Sequence, residues 1–118
     1  MKLNDLVREF GLHVKAGDGL LDRDVTGGYA SDLLSDVLAH ADEGALWVTL
    51  HIHQNIVAVA SHKGLAAIVL VQGRQPEPDT IAKAGEEGIP LLVTELPAFE
   101  LVGRLYQAGM RGAAAPES

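Results

Sequence analysis

The segment Ala66-Ala67-Ile68-Val69-Leu70-Val71 is apolar along its whole length and does not alternate like a strand that faces water on one side. Such a run is typical of a strand buried on both faces, as in a parallel sheet covered by helices. Comparable strands precede and follow it, and a helical segment follows each strand. The strands are predicted at 46–50, 66–71 and 90–94, and the helices at about 55–62, 78–87 and 97–108. This order predicts an α/β fold, with a mostly parallel or mixed sheet and flanking helices in two or three layers.

The chain before residue 45 predicts a helix at 3–10, a short strand at 12–14 and a second helix that begins near Ser31 or Asp32. Gly27 and Gly28 stand shortly before the polar cap of this second helix. Adjacent glycines weaken a regular element, so they indicate a tight turn or a close approach of another backbone segment. We expect a turn that packs strand against helix, with an anion site on free backbone N–H groups as the alternative.

Three features allow more than one interpretation. Residues 56–60 alternate in a way that also fits a strand, but Asn55 is a good helix cap and favours a buried helix. The last helix carries an apolar stripe that predicts a core-facing side, with a partner-binding face as the alternative. That stripe consists of Phe99, Val102, Leu105 and Tyr106. Trp47 is large for an otherwise aliphatic core, so an interface edge is a second interpretation of it.

Length, charge and composition limit the classes of function. A chain of 118 residues is about one domain. The formal net charge is −7 and the basic residues are scattered, so nucleic acid and anionic membranes are unfavourable partners. The sequence has no cysteine, which excludes disulfides and thiolate metal ligands. No apolar run resembles a signal peptide or a membrane span, so we expect a cytoplasmic protein.

Polar residues follow the predicted strands, and ligands of open parallel sheets lie beyond the carboxyl ends of the strands. Arg74 follows the second strand and can bind a carboxylate or phosphate, although a solvated loop is the simpler interpretation. We expect the loop ends to converge near the paired glycines. The predicted ligand-binding residues are Thr26, Gly27, Gly28, Thr49, His53, Asn55, Arg74 and Thr94.

The sequence gives no support for catalytic or metal chemistry. His51 and His53 would share one face of a strand, but a metal site needs a third ligand and none is identifiable. No nucleophile motif or histidine–carboxylate relay accompanies Ser31, Ser35 or Ser61. We therefore predict no catalytic residues, no metal, no cofactor and no enzyme activity.

Four segments carry a resemblance to a known family. They are residues 21–29 (LDRDVTGGY), 31–37 (SDLLSDV), 55–60 (NIVAVA) and 88–94 (GIPLLVT). Together they resemble the DRTGG domain family, and the resemblance extends over residues 1–111. The string that gives the family its name is not intact, because Val25 stands where an arginine is expected.

The resemblance implies a fold similar to the N-terminal domain of HPr kinase/phosphorylase and a role as an accessory domain. Relatives are appended to phosphotransacetylases, lie between CBS repeats in some pyrophosphatases, or stand alone near iron-only hydrogenase and sensor-kinase genes. The family has no established catalytic residues and tends to form homodimers.

From the residues and the resemblance we predict a non-catalytic regulatory or interaction module. It is expected to form a homodimer and to contact a metabolic enzyme or a sensor kinase. The alternative is a sensor that binds a nucleotide or another small anionic metabolite. One domain is expected over residues 1–111, followed by a disordered C-terminal tail at 112–118.

Overall fold

The computed structural model of the protein describes residues 1–112, which form five α-helices and five strands. The helices are α1 (Leu3–Phe10), α2 (Leu34–His40), α3 (Asn55–Lys63), α4 (Pro78–Glu87) and α5 (Ala98–Gln107). The strands are β1 (His13–Ala16), β2 (Gly27–Ala30), β3 (Ala45–Thr49), β4 (Ala67–Leu70) and β5 (Leu91–Val93). No helix in this part of the chain has the length and apolar character needed to cross a membrane. The predicted C-terminal tail lies, beyond Gly112, outside the described residues.

The strands form one mixed sheet in the order β1-β5-β4-β3-β2. The strands from β2 to β5 are parallel to one another, and β1 pairs with β5 in the antiparallel direction. The three predicted units β3–α3, β4–α4 and β5–α5 are confirmed, and so is the α/β class with a mixed sheet and flanking helices. Because the parallel strands lie side by side, their carboxyl ends meet at one edge of the sheet.

Two apolar clusters fill the two faces of the sheet. Ile68 and Leu70 of β4 pack with residues of α2, α3 and α4 on one face. Ala67 and Val69 of the same strand pack with residues of α1 and α5 on the other face. All four side chains are fully buried, which explains why the sequence of β4 does not alternate. The fold therefore has three layers, with the sheet between two layers of helices.

The structure decides between the alternative interpretations of residues 56–60 and of Trp47, and it shows a later start for α2 than predicted. Residues 56–60 lie in α3, so the predicted helix is confirmed. Trp47 is fully buried in β3, and its Nε1 donates to the Ser31 carbonyl oxygen at 2.9 Å, so an interface edge is wrong for this residue. The helix predicted from Ser31 or Asp32 begins only at Leu34.

The paired glycines lie inside β2 rather than in a turn before α2, which corrects that prediction. A Cβ on Gly27 would lie 2.6 Å from the Arg111 carbonyl oxygen, and one on Gly28 would lie 3.0 Å from the Met110 sulfur. The Gly28 N–H donates to the same Arg111 oxygen at 3.0 Å. The other interpretation of the glycines, a close approach of another backbone segment, is therefore confirmed.

Candidate functional site

Five of the predicted ligand-binding residues lie near the carboxyl edge of the parallel strands. Thr49 is the last residue of β3, and His53 and Asn55 follow it at the start of α3. Arg74 follows β4, and Thr94 follows β5. The topology therefore brings these residues to one edge of the sheet, as predicted from the strand order.

Thr26, Gly27 and Gly28 lie at the opposite edge of the sheet. Gly27 is the first residue of β2 and pairs with Ala45, the first residue of β3. Thr26 Oγ1 donates to the Glu43 carbonyl oxygen at 2.9 Å, on the same amino side of the strands. The expectation that the loop ends converge near the glycines is wrong, because the glycines begin a strand and the loops in question follow strand ends.

Asp32, which the sequence suggested only as a helix cap, organises the end of β3. Its Oδ1 accepts hydrogen bonds from Thr49 Oγ1 and from the Leu50 N–H, both at 2.8 Å. The Thr49 oxygen accepts in turn from the His51 N–H at 3.2 Å, and His51 Nε2 contacts the Asp32 carbonyl oxygen. Because Thr49 is only 2% exposed, its hydroxyl holds the fold and does not reach solvent. No local periodicity signals a bond between residues so far apart in sequence.

His53 holds the start of α3 through its ring. Its Nδ1 accepts a hydrogen bond from the Asn55 N–H at 3.1 Å. While this bond is made, Nδ1 carries no proton and the neutral ring carries its proton on Nε2. Asn55 is the first residue of the helix and Gln54 occupies the cap position, which corrects the prediction of Asn55 as the cap.

Arg74 and His53 line an open cleft of about 290 Å³ at the carboxyl edge. The remaining lining residues are Asp32, Leu50, His51 and Ile52. Arg74 is exposed, and none of the ion pairs formed within residues 1–112 involves it. A guanidinium beside imidazole rings can bind a carboxylate or phosphate, whereas the Asp32 carboxylate opposes an anion at its own end of the cleft.

The loop that carries Arg74 is held by the loop that follows β5. Gln72 has φ 59° and Gly73 has φ 68°, so two consecutive residues adopt the left-handed conformation that glycine favours. The Gln72 N–H donates to the Leu96 carbonyl oxygen and the Gly73 N–H donates to the Thr94 carbonyl oxygen, both at 2.9 Å. These backbone contacts fix the position of Arg74, and no sequence motif predicts them.

Thr94 lines a separate hollow of about 410 Å³ beside β1. Lys15 and Glu95 give this hollow one charge of each sign. Thr94 is 5% exposed, and its Oγ1 accepts from the Leu96 N–H at 3.2 Å. The predicted residues therefore do not form a single pocket. Thr26, Gly27 and Gly28 lie at the amino ends of the strands, His53 and Arg74 line the cleft, Thr94 lines the hollow, and Thr49 and Asn55 line neither.

Perturbed pKa values occur at Tyr29 and Asp36, outside the cleft. The Tyr29 hydroxyl donates to Asp36 Oδ2 at 2.8 Å, and this bond lowers the pKa of Asp36 and raises the pKa of Tyr29. Hydrogen bonds from Ser31 and His40 lower the pKa of Asp36 further. The pair joins β2 to α2, so we interpret its shifted pKa values as the result of a structural bond.

The described side chains form no arrangement typical of catalysis. Within residues 1–112, no group of three or more His, Cys, Asp and Glu side chains is placed to hold a metal ion. In the same range, the hydrogen bonds of serine and threonine hydroxyls do not involve a histidine ring. The exposed guanidinium of Arg74 is the group in the cleft that can bind an anion.

Comparison with known proteins reveals a similarity of fold. Neither the family models nor the curated proteins give a match. A solved structure that matches contains the CBS and DRTGG domains of the regulatory region of Clostridium perfringens pyrophosphatase, complexed with the activator diadenosine tetraphosphate. The similarity has a TM-score of 0.68 at 11% identity, over 91% of this chain and 46% of that chain. The chain thus spans about half the length of that chain and shares its α/β fold over the matched residues.

Proposed function

We propose that this protein is a non-catalytic regulatory module that acts as a homodimer. The observation that carries the proposal is an apolar stripe on α5 whose side chains are exposed: Phe99 is 88% exposed, Tyr106 58% and Val102 38%. The Arg111 guanidinium lies over one face of the Tyr106 ring. Grouped apolar side chains on a surface are typical of a protein interface. By contrast, the Thr49 hydroxyl and the His53 ring make bonds that hold the fold.

The fold supports a regulatory role. The similar solved structure is a regulatory region, and it was solved with an activator bound. With the family resemblance, this leads us to propose a metabolic enzyme or a sensor kinase in the cytoplasm as the regulated partner. The net charge of −7 disfavours nucleic acid and anionic membranes as further partners.

Light scattering on a size-exclusion column at micromolar concentration tests the homodimer. The chain mass is 12.5 kDa, so a dimer has twice that mass, about 25 kDa. We expect the dimer mass at micromolar concentration and a fall toward the monomer mass on dilution, as mass action requires. A monomer mass that persists up to a concentration on the order of 100 µM would overturn the homodimer, because the Kd would then lie above that concentration and the interface would not hold a stable dimer.

The cleft of Arg74 supports a second candidate function, a sensor of a nucleotide or another small anionic metabolite. The guanidinium is exposed, and the His53 and His51 rings line the same cleft. The cleft lies beyond the carboxyl ends of parallel strands, where open α/β sheets bind ligands. In this candidate the cleft recognises the charged group of the metabolite.

A thermal-shift panel of nucleotides and acyl phosphates tests the sensor. A ligand at about 100 times its Kd stabilises the protein by about 2.7 kcal/mol, or about 10 °C in Tm for a domain of this size. Arg74→Ala should abolish the shift, whereas the control Arg8→Ala, on the exposed side of α1, should leave it unchanged. A panel without any shift, or a shift that survives Arg74→Ala, would contradict the sensor at this cleft.

A further inference from the structure

Four residues of α5 share one outward face. Their spacing of three, four and seven residues aligns them along the helix, and all four are exposed. Leu101 and Leu105, on the inner side, are buried and attach the helix to the sheet. We call the outward set the α5 stripe; its members are Phe99, Val102, Gly103 and Tyr106.

No contact in the described part of the chain requires a glycine at position 103. A glycine inside a helix is less stable than an alanine, and a Cβ at Gly103 would meet no atom within 4 Å. Gly85 of α4 is equally open, but none of the large exposed apolar side chains of residues 1–112 lies on α4. A glycine among exposed apolar side chains removes the bulk that would keep a second helix at a distance.

The α5 stripe is symmetric about its own centre. The positions 99, 102, 103 and 106 are related by reversal about the midpoint between Val102 and Gly103. A second α5 packed antiparallel about a two-fold axis would therefore place Phe99 near the partner's Tyr106, with Val102 and Gly103 next to the axis. Self-complementarity of this kind is what a two-fold interface between identical chains requires.

An apolar groove beside the α5 stripe can receive the most exposed side chain. The groove has a volume of about 110 Å³, lies between α5 and the edge strand β2, and is lined by Val102, Leu105, Tyr106 and Met110 among others. A dry cavity of about 150 Å³ holds a benzene molecule, so an open groove of this size accommodates much of a phenyl ring. The antiparallel arrangement brings the partner's Phe99 to Tyr106, at the groove.

We propose that a second copy of this chain docks on the α5 stripe, with the two α5 helices antiparallel about a two-fold axis near Val102 and Gly103. The partner's Phe99 then fills the groove between α5 and β2. The proposal rests on the homodimer proposed above and names the surface that forms it.

Gly103→Gln tests the close approach of the two helices. The fold leaves open space at this position, and glutamine is a better helix former than glycine, so the monomer should be at least as stable as the wild type. In the dimer the added side chain occurs twice at the centre of the interface, where a bulky residue prevents close packing. We expect Kd for dimerisation to rise about 100-fold, that is, about tenfold for each copy.

Gly85→Gln is the matched control, because it adds the same side chain at the other open helical glycine. It should leave Kd unchanged while stabilising the monomer to a similar extent. Analytical ultracentrifugation gives Kd, and thermal unfolding below Kd gives the stability of the monomer. A Gly103→Gln variant that dimerises as tightly as Gly85→Gln would overturn the proposed surface.

The outcomes separate this proposal from the homodimer itself. A wild-type dimer that Gly103→Gln leaves intact overturns the α5 surface but supports the homodimer. A wild-type chain that stays monomeric overturns both. A wild-type dimer that Gly103→Gln weakens and Gly85→Gln does not supports both.

Discussion

Replacing Gly27 with alanine places a methyl group against the backbone of the C-terminal segment. The new Cβ would lie 2.6 Å from the Arg111 carbonyl oxygen, whereas unstrained contacts lie near 3.5 Å. A carbonyl oxygen cannot rotate away like a side chain, so β2 and residues 110–112 must separate by about 1 Å. That movement lengthens the hydrogen bond from the Gly28 N–H to the same oxygen, now 3.0 Å, beyond bonding distance.

The expected loss of stability is the sum of three effects. The lost backbone hydrogen bond costs about 1 kcal/mol. The added methyl group in a packed site costs about 1–3 kcal/mol. Alanine also restricts the unfolded chain, which offsets about 0.4–1 kcal/mol. Gly27→Ala should therefore lower the free energy of unfolding by about 1–3.6 kcal/mol and Tm by about 4–14 °C for a domain of this size.

Urea denaturation and thermal unfolding measure the change, with Gly85→Ala as the control. Gly85 lies in α4 with no atom within 4 Å of an added Cβ, so the same substitution should stabilise that helix by up to about 1 kcal/mol. The two Gly→Ala variants should thus shift Tm in opposite directions. A Gly27→Ala variant as stable as the wild type would refute the reasoning that the C-terminal segment needs a glycine at this position.

Two further substitutions test the bonds around α2. Asp32→Ala removes the acceptor of the hydrogen bonds from Thr49 Oγ1 and from the Leu50 N–H. Urea denaturation should show a free energy of unfolding lower by about 1–3 kcal/mol. Asp32→Asn keeps an acceptor oxygen and should lower it less, so equal losses for the two variants would contradict this role of Asp32. Tyr29→Phe removes the main cause of the lowered pKa of Asp36, so an NMR titration should show that pKa rising toward its ordinary value. Because the pKa of Asp36 is lowered by folding, its stabilising effect is present above the ordinary aspartate pKa and is lost as the pH falls through the lowered value. The stability difference between wild type and Tyr29→Phe should shrink over that acidic range, and a constant difference would contradict the assignment.

The elements that the sequence predicts well are those whose residues bury both faces. Ile68 and Leu70 face one cluster and Val69 faces the other, so β4 needs apolar residues throughout, which is the pattern of a strand covered on both faces. The same reasoning extends to β3 and β5, in which every residue is buried. The type and order of these elements can be predicted from the local sequence pattern, because each residue of such a strand is apolar and each is buried in the fold.

Features that depend on contacts distant in sequence are not predictable in this way. The Arg111 carbonyl oxygen approaches the backbone at the paired glycines 27 and 28 too closely for a side chain. Asp32 accepts a hydrogen bond from the Thr49 hydroxyl. The last helix has the predicted apolar periodicity. A helix that packs on a sheet buries only the side chains that face the sheet, however, so apolar residues on its other side stay exposed. Phe99 and Tyr106 therefore look like core residues in the sequence and lie on the surface of the structure.

The cleft and the α5 stripe are connected through the backbone, which bears on how a regulatory module of this fold would work. The loop of Arg74 is bonded through Gln72 to the Leu96 carbonyl oxygen, directly before the start of α5. A ligand that displaces this loop therefore acts on the end of α5 that carries Phe99. Thermodynamic coupling is reciprocal, so a ligand that changes the dimerisation constant must bind the dimer and the monomer with different affinities. A ligand with equal affinity for the monomer and the dimer would not shift the equilibrium between them, however tightly it binds. The cleft would then bind the ligand without regulating dimerisation.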